Sequence, residues 1–173
     1  EFADEGVVSR MVSTIEKEKT DGVHGNINYM SGDKVIRRWR MGRGTIRTGW
    51  MPGHPTLYLK KEIYEIYGLY KTNYKIAADY EFMIRILKDK KVKLSYMDEV
   101  LVHMFHGEES TSTGGFGNYV RSLKEGHRAL KENHVAFAWC VDFCRIIRVL
   151  IQFVKKRGLQ NGLFDYYSGL QRS

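Results

Sequence analysis

Between Lys71 and Met104 the spacing of the apolar residues changes twice, and this limits the fold more than any other feature of the chain. "KTNYKIA" has no period. From about Ala78 to Lys88, Phe82, Met83, Ile86 and Leu87 recur at helical spacing. "KVKLSYM" and "EVLVHMF" then alternate as two strands with Asp98 and Glu99 between them. Upstream the same interleaving occurs. Val7, Val8, Met11, Val12 and Ile15 define a helix within Asp4 to Lys19, and "GVHGNINYM", the turn "SGD" and "KVIRRWRM" read as a hairpin. "TLYLKK" reads as a short buried strand and "EIYEIYG" as a short helix closed by Gly68. Strands alternating with helices predict an α/β domain.

From about Tyr119 to Lys156 the pattern is mostly helical, which suggests a division into residues 1–114 and a helical tail, 115–173. "HGEESTSTGGFGN" joins them as a linker with some lid character. In the tail, Phe143, Ile146, Ile147, Leu150, Ile151 and Val154 share one flank, and Arg145, Arg148, Gln152, Lys155 and Lys156 share another. That pattern fits an interfacial helix on an anionic membrane surface, or a helix packed on its own domain with snorkelling cations. No uncharged apolar run is long enough to span a bilayer.

A net charge of +8 over 173 residues favours anionic partners: nucleic acid, membrane surface or a phosphate-bearing ligand. Much of that charge sits in "KVIRRWRMGRGTIRTGW", where Lys34, Arg37, Arg38, Arg40, Arg43 and Arg47 surround Trp39 and Trp50. Arginine interleaved with tryptophan can grip single-stranded nucleic acid, and charges on a hairpin edge also deter edge-to-edge pairing. Cys140 and Cys144, one helical turn apart, read as reduced residues of a cytosolic protein. The acidic start "EFADEGVVSR" is no signal peptide. Its Glu-Phe reads as a cloning remnant on a piece of something longer.

Asp79 and Glu81 open the helix of the Lys71–Met104 stretch. An acid in a first turn is stabilised by the dipole and the unsatisfied N–H groups, by ~0.3–1 kcal/mol. The same placement would suit a carboxylate that takes a proton from a hydroxyl. Glu81 points elsewhere on the helix and suits that task less.

"HPTLYLKKEIYEIYGLYKTNYKIAADYEFMIRILKDKKVKLSYMDEVLVHM" resembles the C-terminal half of family 2 inverting glycosyltransferases of the GT-A, nucleotide-diphospho-sugar transferase fold. The resemblance rests on an "HPT" lead-in, a helix ending near "YG", an Asp-containing signature opening a helix, and strands ending "VLV", in that order. It extends upstream through "DGVHGNINYMSGDKVIRRW" and covers roughly Asp4 to Ser112. It implies the C-terminal half of a Rossmann-like mixed sheet flanked by helices, followed by the tail. It also implies that Asp79 is the general base, with Trp50, His54, Tyr80 and Glu81 lining the substrate site. The donor would be a nucleoside-diphosphate sugar, and the acceptor a glycan or lipid-linked glycan in bacterial cell-surface polysaccharide assembly. The protein would be cytoplasmic, on the inner face of the plasma membrane.

Two departures qualify what the resemblance implies. Ala78 stands where the family commonly has glutamate, which loosens the acceptor class. No Asp-x-Asp occurs, so the chain is expected to begin just after the motif that binds nucleotide and divalent metal, Mn2+ or Mg2+. The metal would then not be retained, except through His103 or His106 in "VHMFHGEEST". A sheet without its first strands would expose an edge, so dimerisation and inactivity in isolation are expected. The rival is a non-catalytic basic module that binds nucleic acid or anionic polymer through the arginine-rich hairpin.

Overall fold

The computed structural model describes residues 1–105, 115–148 and 151. Its order is α1 (Val7–Glu18), β1 (Gly22–Ser31), β2 (Lys34–Trp39), β3 (Tyr58–Leu59), α2 (Lys61–Tyr67), α3 (Ala78–Leu87), β4 (Leu94–Phe105), α4 (Gly115–Glu132) and α5 over 138–148. This is an α/β architecture: an open, mixed four-stranded sheet flanked by helices, an arrangement compatible with a Rossmann-like fold. His106 and most of the expected linker, 106–114, lie outside the described residues.

β1 is the hub of the sheet. β4 pairs with it in parallel from Gly22 to Met30, so β2 and β3 share its other edge, both antiparallel. β2 takes Ile27 to Ser31 and β3 takes Gly22 and Val23. The stretch of β1 left between them is closed by side chains. Thr56 donates its hydroxyl to Gly25 O at 3.0 Å, and Asn26 Oδ1 accepts the Met41 N–H at 3.0 Å.

Two expectations change here. "KVKLSYM" and "EVLVHMF" are not two strands but one, β4, and Asp98 and Glu99 lie within it. The register slips opposite His24–Ile27, where β4 inserts extra residues as bulges. Gly25 makes this possible, because a Cβ there would meet Leu101 Cγ at 2.6 Å. Asp98 and Glu99 bind charges rather than turn the chain. Asp98 accepts from Asn26, Tyr96 and Arg40, and Glu99 from Arg10. β3, in turn, is only two residues long, with Tyr58 exposed, because Lys60 already caps α2.

α1 covers β1 and β4 through Val7 and Met11, which pack with Val23, Met97, Leu101 and Val102. α3 lies between two further cores. Phe82 and Ile86 pack with Ile63 of α2 and Val92, while Tyr80 and Ile84 pack with Ala129 and Leu130 of α4 and Val141 of α5. So α4 and α5, expected as a tail, share a core with the region from Ile46 to Ile84. α5 also touches the loop before β3. Gly49 has φ +66, and a Cβ on it would lie 2.6 Å from the Arg145 backbone N. Phe2 bridges Val102, and Glu1 and Ala3 bond His103 and Leu101, so this part of β4's outer edge is paired.

Candidate functional site

Asp79 stands in the first turn of α3, half-buried. Its Oδ1 accepts the Tyr80 N–H at 2.7 Å, and Oδ2 has no donor among the described residues. Beside it is Tyr70, close enough for the Asp79 charge to act on its hydroxyl. Burial against Phe82, aided by Tyr64 and then Asp79, pushes the Tyr70 phenol up to about 12, so it stays protonated and able to donate. His54 completes the group, exposed, with Nε2 3.3 Å from the Tyr70 hydroxyl.

The local sequence explains why this group is fixed. His54–Thr56 is a single 3-10 turn with Pro55 near its start. Thr56 is fully buried and bonds both Gly25 O and Gly53 O, so His54 projects from a tethered base. Tyr70 follows Gly68, whose φ of +78 lets its N–H return to Tyr64 O at 2.9 Å. Arg85 then holds the strand of loop after α2 through the carbonyls of Tyr67 and Leu69.

The loop leading into α3 is held from another helix. Glu125 of α4 accepts the N–H groups of Lys75, Ile76 and Ala77 at 3.2, 2.9 and 3.0 Å. Desolvation raises the Glu125 carboxyl, but these three donors outweigh it and leave the group below its ordinary value. Arg128 bonds Asn73 O at 3.0 Å and lies 4.0 Å over the Tyr74 ring, while the Tyr74 hydroxyl donates to Glu132 at 2.9 Å. Glu125 thus fixes the loop that leads into α3, while the first-turn Tyr80 N–H is held by Asp79 Oδ1.

Three of the expected substrate contacts are internal. Glu81 is fully buried, bound by Arg85 at 2.8 Å, Lys71 at 2.9 Å and Asn133 at 3.1 Å, which leaves no surface for a ligand. Burial alone would raise its carboxyl, yet the bonds from Arg85, Asn133 and Lys71 bring it below the ordinary value. Tyr80 is buried beneath Arg145, whose guanidinium is 4.4 Å from the ring. Arg145 therefore turns inward instead of joining a cationic outer flank. Trp50 is 7% exposed; its indole N–H donates to Met41 O at 3.0 Å and its ring meets His24, so it cannot stack on a sugar at the surface.

His103 lies in β4, its backbone paired with Glu1. Among the described residues no group of three or more His, Cys, Asp or Glu could hold a metal ion, so His103 belongs to no such group there. In the hairpin, Arg37 lies over Tyr29 and Trp39 at 5.2 and 5.0 Å, and Arg40 pairs with Asp98. No helix among the described residues is long and apolar enough to cross a membrane. Compared with known proteins, the chain matches no family model, no curated protein and no solved structure.

Proposed function

We propose that this chain is the acceptor-side part of an inverting sugar transferase of GT-A type, with Asp79 as the base. The acceptor hydroxyl gives its proton to Asp79. Its oxygen attacks the anomeric carbon, and the bond to the diphosphate breaks with the electron pair leaving on the diphosphate. His54 and Tyr70 sit where they would orient the acceptor. The observation that carries this reading is the open Oδ2 of Asp79, at the mouth of a helix whose lead-in loop is fixed by Glu125. A carboxylate with one oxygen left open, next to a donating phenol and an exposed imidazole, suits proton abstraction.

The donor would be a nucleoside-diphosphate sugar, and a bound divalent cation would neutralise its leaving group. The described residues do not fit such a cation, so every step assigned here uses the chain's own groups. The acceptor would be a glycan or lipid-linked glycan at an anionic membrane. Exposed Phe137, Trp139, Phe143, Ile147 and Ile151 on and beside α5 suit contact with that surface.

The test is Asp79→Asn in the full-length protein. Turnover should fall about 10²–10⁴-fold with donor affinity unchanged. Unchanged turnover, or a parallel loss of donor binding, would overturn the assignment.

A further inference from the structure

The other end of α3 carries a second feature, about 12 Å from Asp79 by the helical rise to Leu87. A partly open cavity of about 330 Å³ lies there, between the start of the sheet, the loop around Trp50 and the chain leaving α3. That volume is at the lower end for small-molecule sites. Its walls are apolar: Ile46, Trp50, Leu87, Val92 and Leu94. The cationic residues Arg43 and Lys90 also line it, both exposed and neither paired with an acid among the described residues.

His24 is the unusual wall. It is 2% exposed, held between Trp50 at 5.4 Å and Tyr96 at 5.2 Å, and its Nδ1 is buried without a hydrogen-bond partner. Trp50 cannot serve it, since the indole N–H is committed to Met41 O. Buried polar atoms are normally satisfied, and one left open on a cavity wall points to something the cavity receives. Burial, and secondarily Arg43, lowers the imidazole to about 4, so His24 is neutral at physiological pH and offers a hydrogen bond without charge. The charge selectivity must come from Arg43 and Lys90.

We infer that this cavity binds a small organic anion: a carboxylate or phosphate monoester on a flat apolar body. The body would lie against Trp50 and the aliphatic walls, a polar atom would meet His24 Nδ1, and the anionic group would face Arg43 and Lys90. The inference does not depend on the transferase reading, because Asp79, His54 and Tyr70 are not among the cavity's lining residues.

Naphthalene-2-carboxylate, 2-naphthyl phosphate and the neutral naphthalene-2-carboxamide are suitable probes. The readouts are the indole resonances of the three tryptophans and the imidazole of His24, followed by heteronuclear NMR on the whole chain. Saturable shifts of Trp50 and His24 are expected with at least one anion at roughly millimolar concentration or below. The stronger of the two names the anion class. Arg43→Gln with Lys90→Gln, both at exposed positions, should weaken that anion about ten-fold while leaving the carboxamide unaffected. His24→Leu should weaken all three, and if it fails to fold, the Arg43 and Lys90 variants alone decide. Absence of saturable Trp50 shifts, equal affinity after both cations are removed, or shifts confined to exposed Trp139 would each overturn the site.

Discussion

Asp79 and Glu81 belong to the same turn of α3 and are separated by one residue, yet they have opposite surroundings. Positions i and i+2 diverge by roughly 200° around a helix, so one turn can serve a cleft and a core at once. Glu81 falls on the flank that packs on α4, and there it gathers Arg85, Lys71 and Asn133. Asp79 falls on the flank facing the loop of Tyr70, where, among the described residues, only the next backbone N–H reaches it. The network around Glu81 ties α3 to α4. The sparse surroundings of Asp79 leave one carboxylate oxygen open among the described residues. The difference teaches that the mouth of α3 is kept open because rigidity is supplied from behind and from Glu125.

The largest expected effect breaks that rear support. Glu81→Ala strands Arg85 and Lys71 beside a buried site and should destabilise by about 3–5 kcal/mol in urea unfolding. Asp79→Ala should cost less than ~1 kcal/mol, the range of a helix-dipole contact. Similar losses from the two would show that the mouth is structural too. Glu81→Met combined with Arg85→Met should recover part of the loss, because removing both charges avoids an unpaired buried ion. The acid limb carries the same sign. Glu81 and Glu125 both have folded-state carboxyls below their ordinary value. Their stabilisation is therefore complete above the unfolded value of about 4.3 and is lost as the pH falls through the folded ones.

How much of this was legible beforehand depended on the range of the interaction that decides each element. α1, the β1–β2 hairpin, α2 and α3 are set by apolar period and local turns, and each falls where its residues indicate. β4 was misread as two strands because Asp98–Glu99 looks like turn chemistry, whereas the bulge is set by the partner strand and by Gly25. The depth of Trp50, Tyr80 and Glu81 has no local signature, since their covers are Met41, Arg145 and Asn133, each from another part of the chain. Asp79 was legible as an acid opening a helix. Tyr70 was hidden in a loop without period, and Glu125 in a helix whose surface charges looked like any solvated face. A helix start with no capping residue of its own, Ala77 at the cap position, was the one available hint that a carboxylate arrives from elsewhere.

That hint leads to the next effect in size. Glu125→Ala removes one carboxylate from three backbone donors and should cost about 1–2 kcal/mol, the upper range for a lost cap. It should also loosen Lys75–Ala77, seen as faster amide hydrogen exchange there, with the exchange of β1 unchanged. Glu125→Gln retains an acceptor oxygen and should fall between. If Glu125→Ala left exchange at the mouth untouched while Asp79→Ala accelerated it, Asp79 would be the cap after all. The open-carboxylate reading would then lose its basis.

The smallest effect separates the two ways α4 grips the loop before α3. Tyr74 is 4% exposed, with Arg128 stacked on its ring and its hydroxyl bonded to Glu132. Tyr74→Phe deletes only the hydroxyl contact and should cost about 0.5–1.5 kcal/mol. Tyr74→Leu also removes the stacking surface and should cost more. If packing places the loop, Tyr74→Phe will leave exchange at Lys75–Ala77 as slow as in the parent chain, because Glu125 still holds those N–H groups. Faster exchange there would mean that the Tyr74–Glu132 bond, rather than the cap, positions the mouth, and rigidity would then reach Asp79 from the side of the loop instead of along the helix.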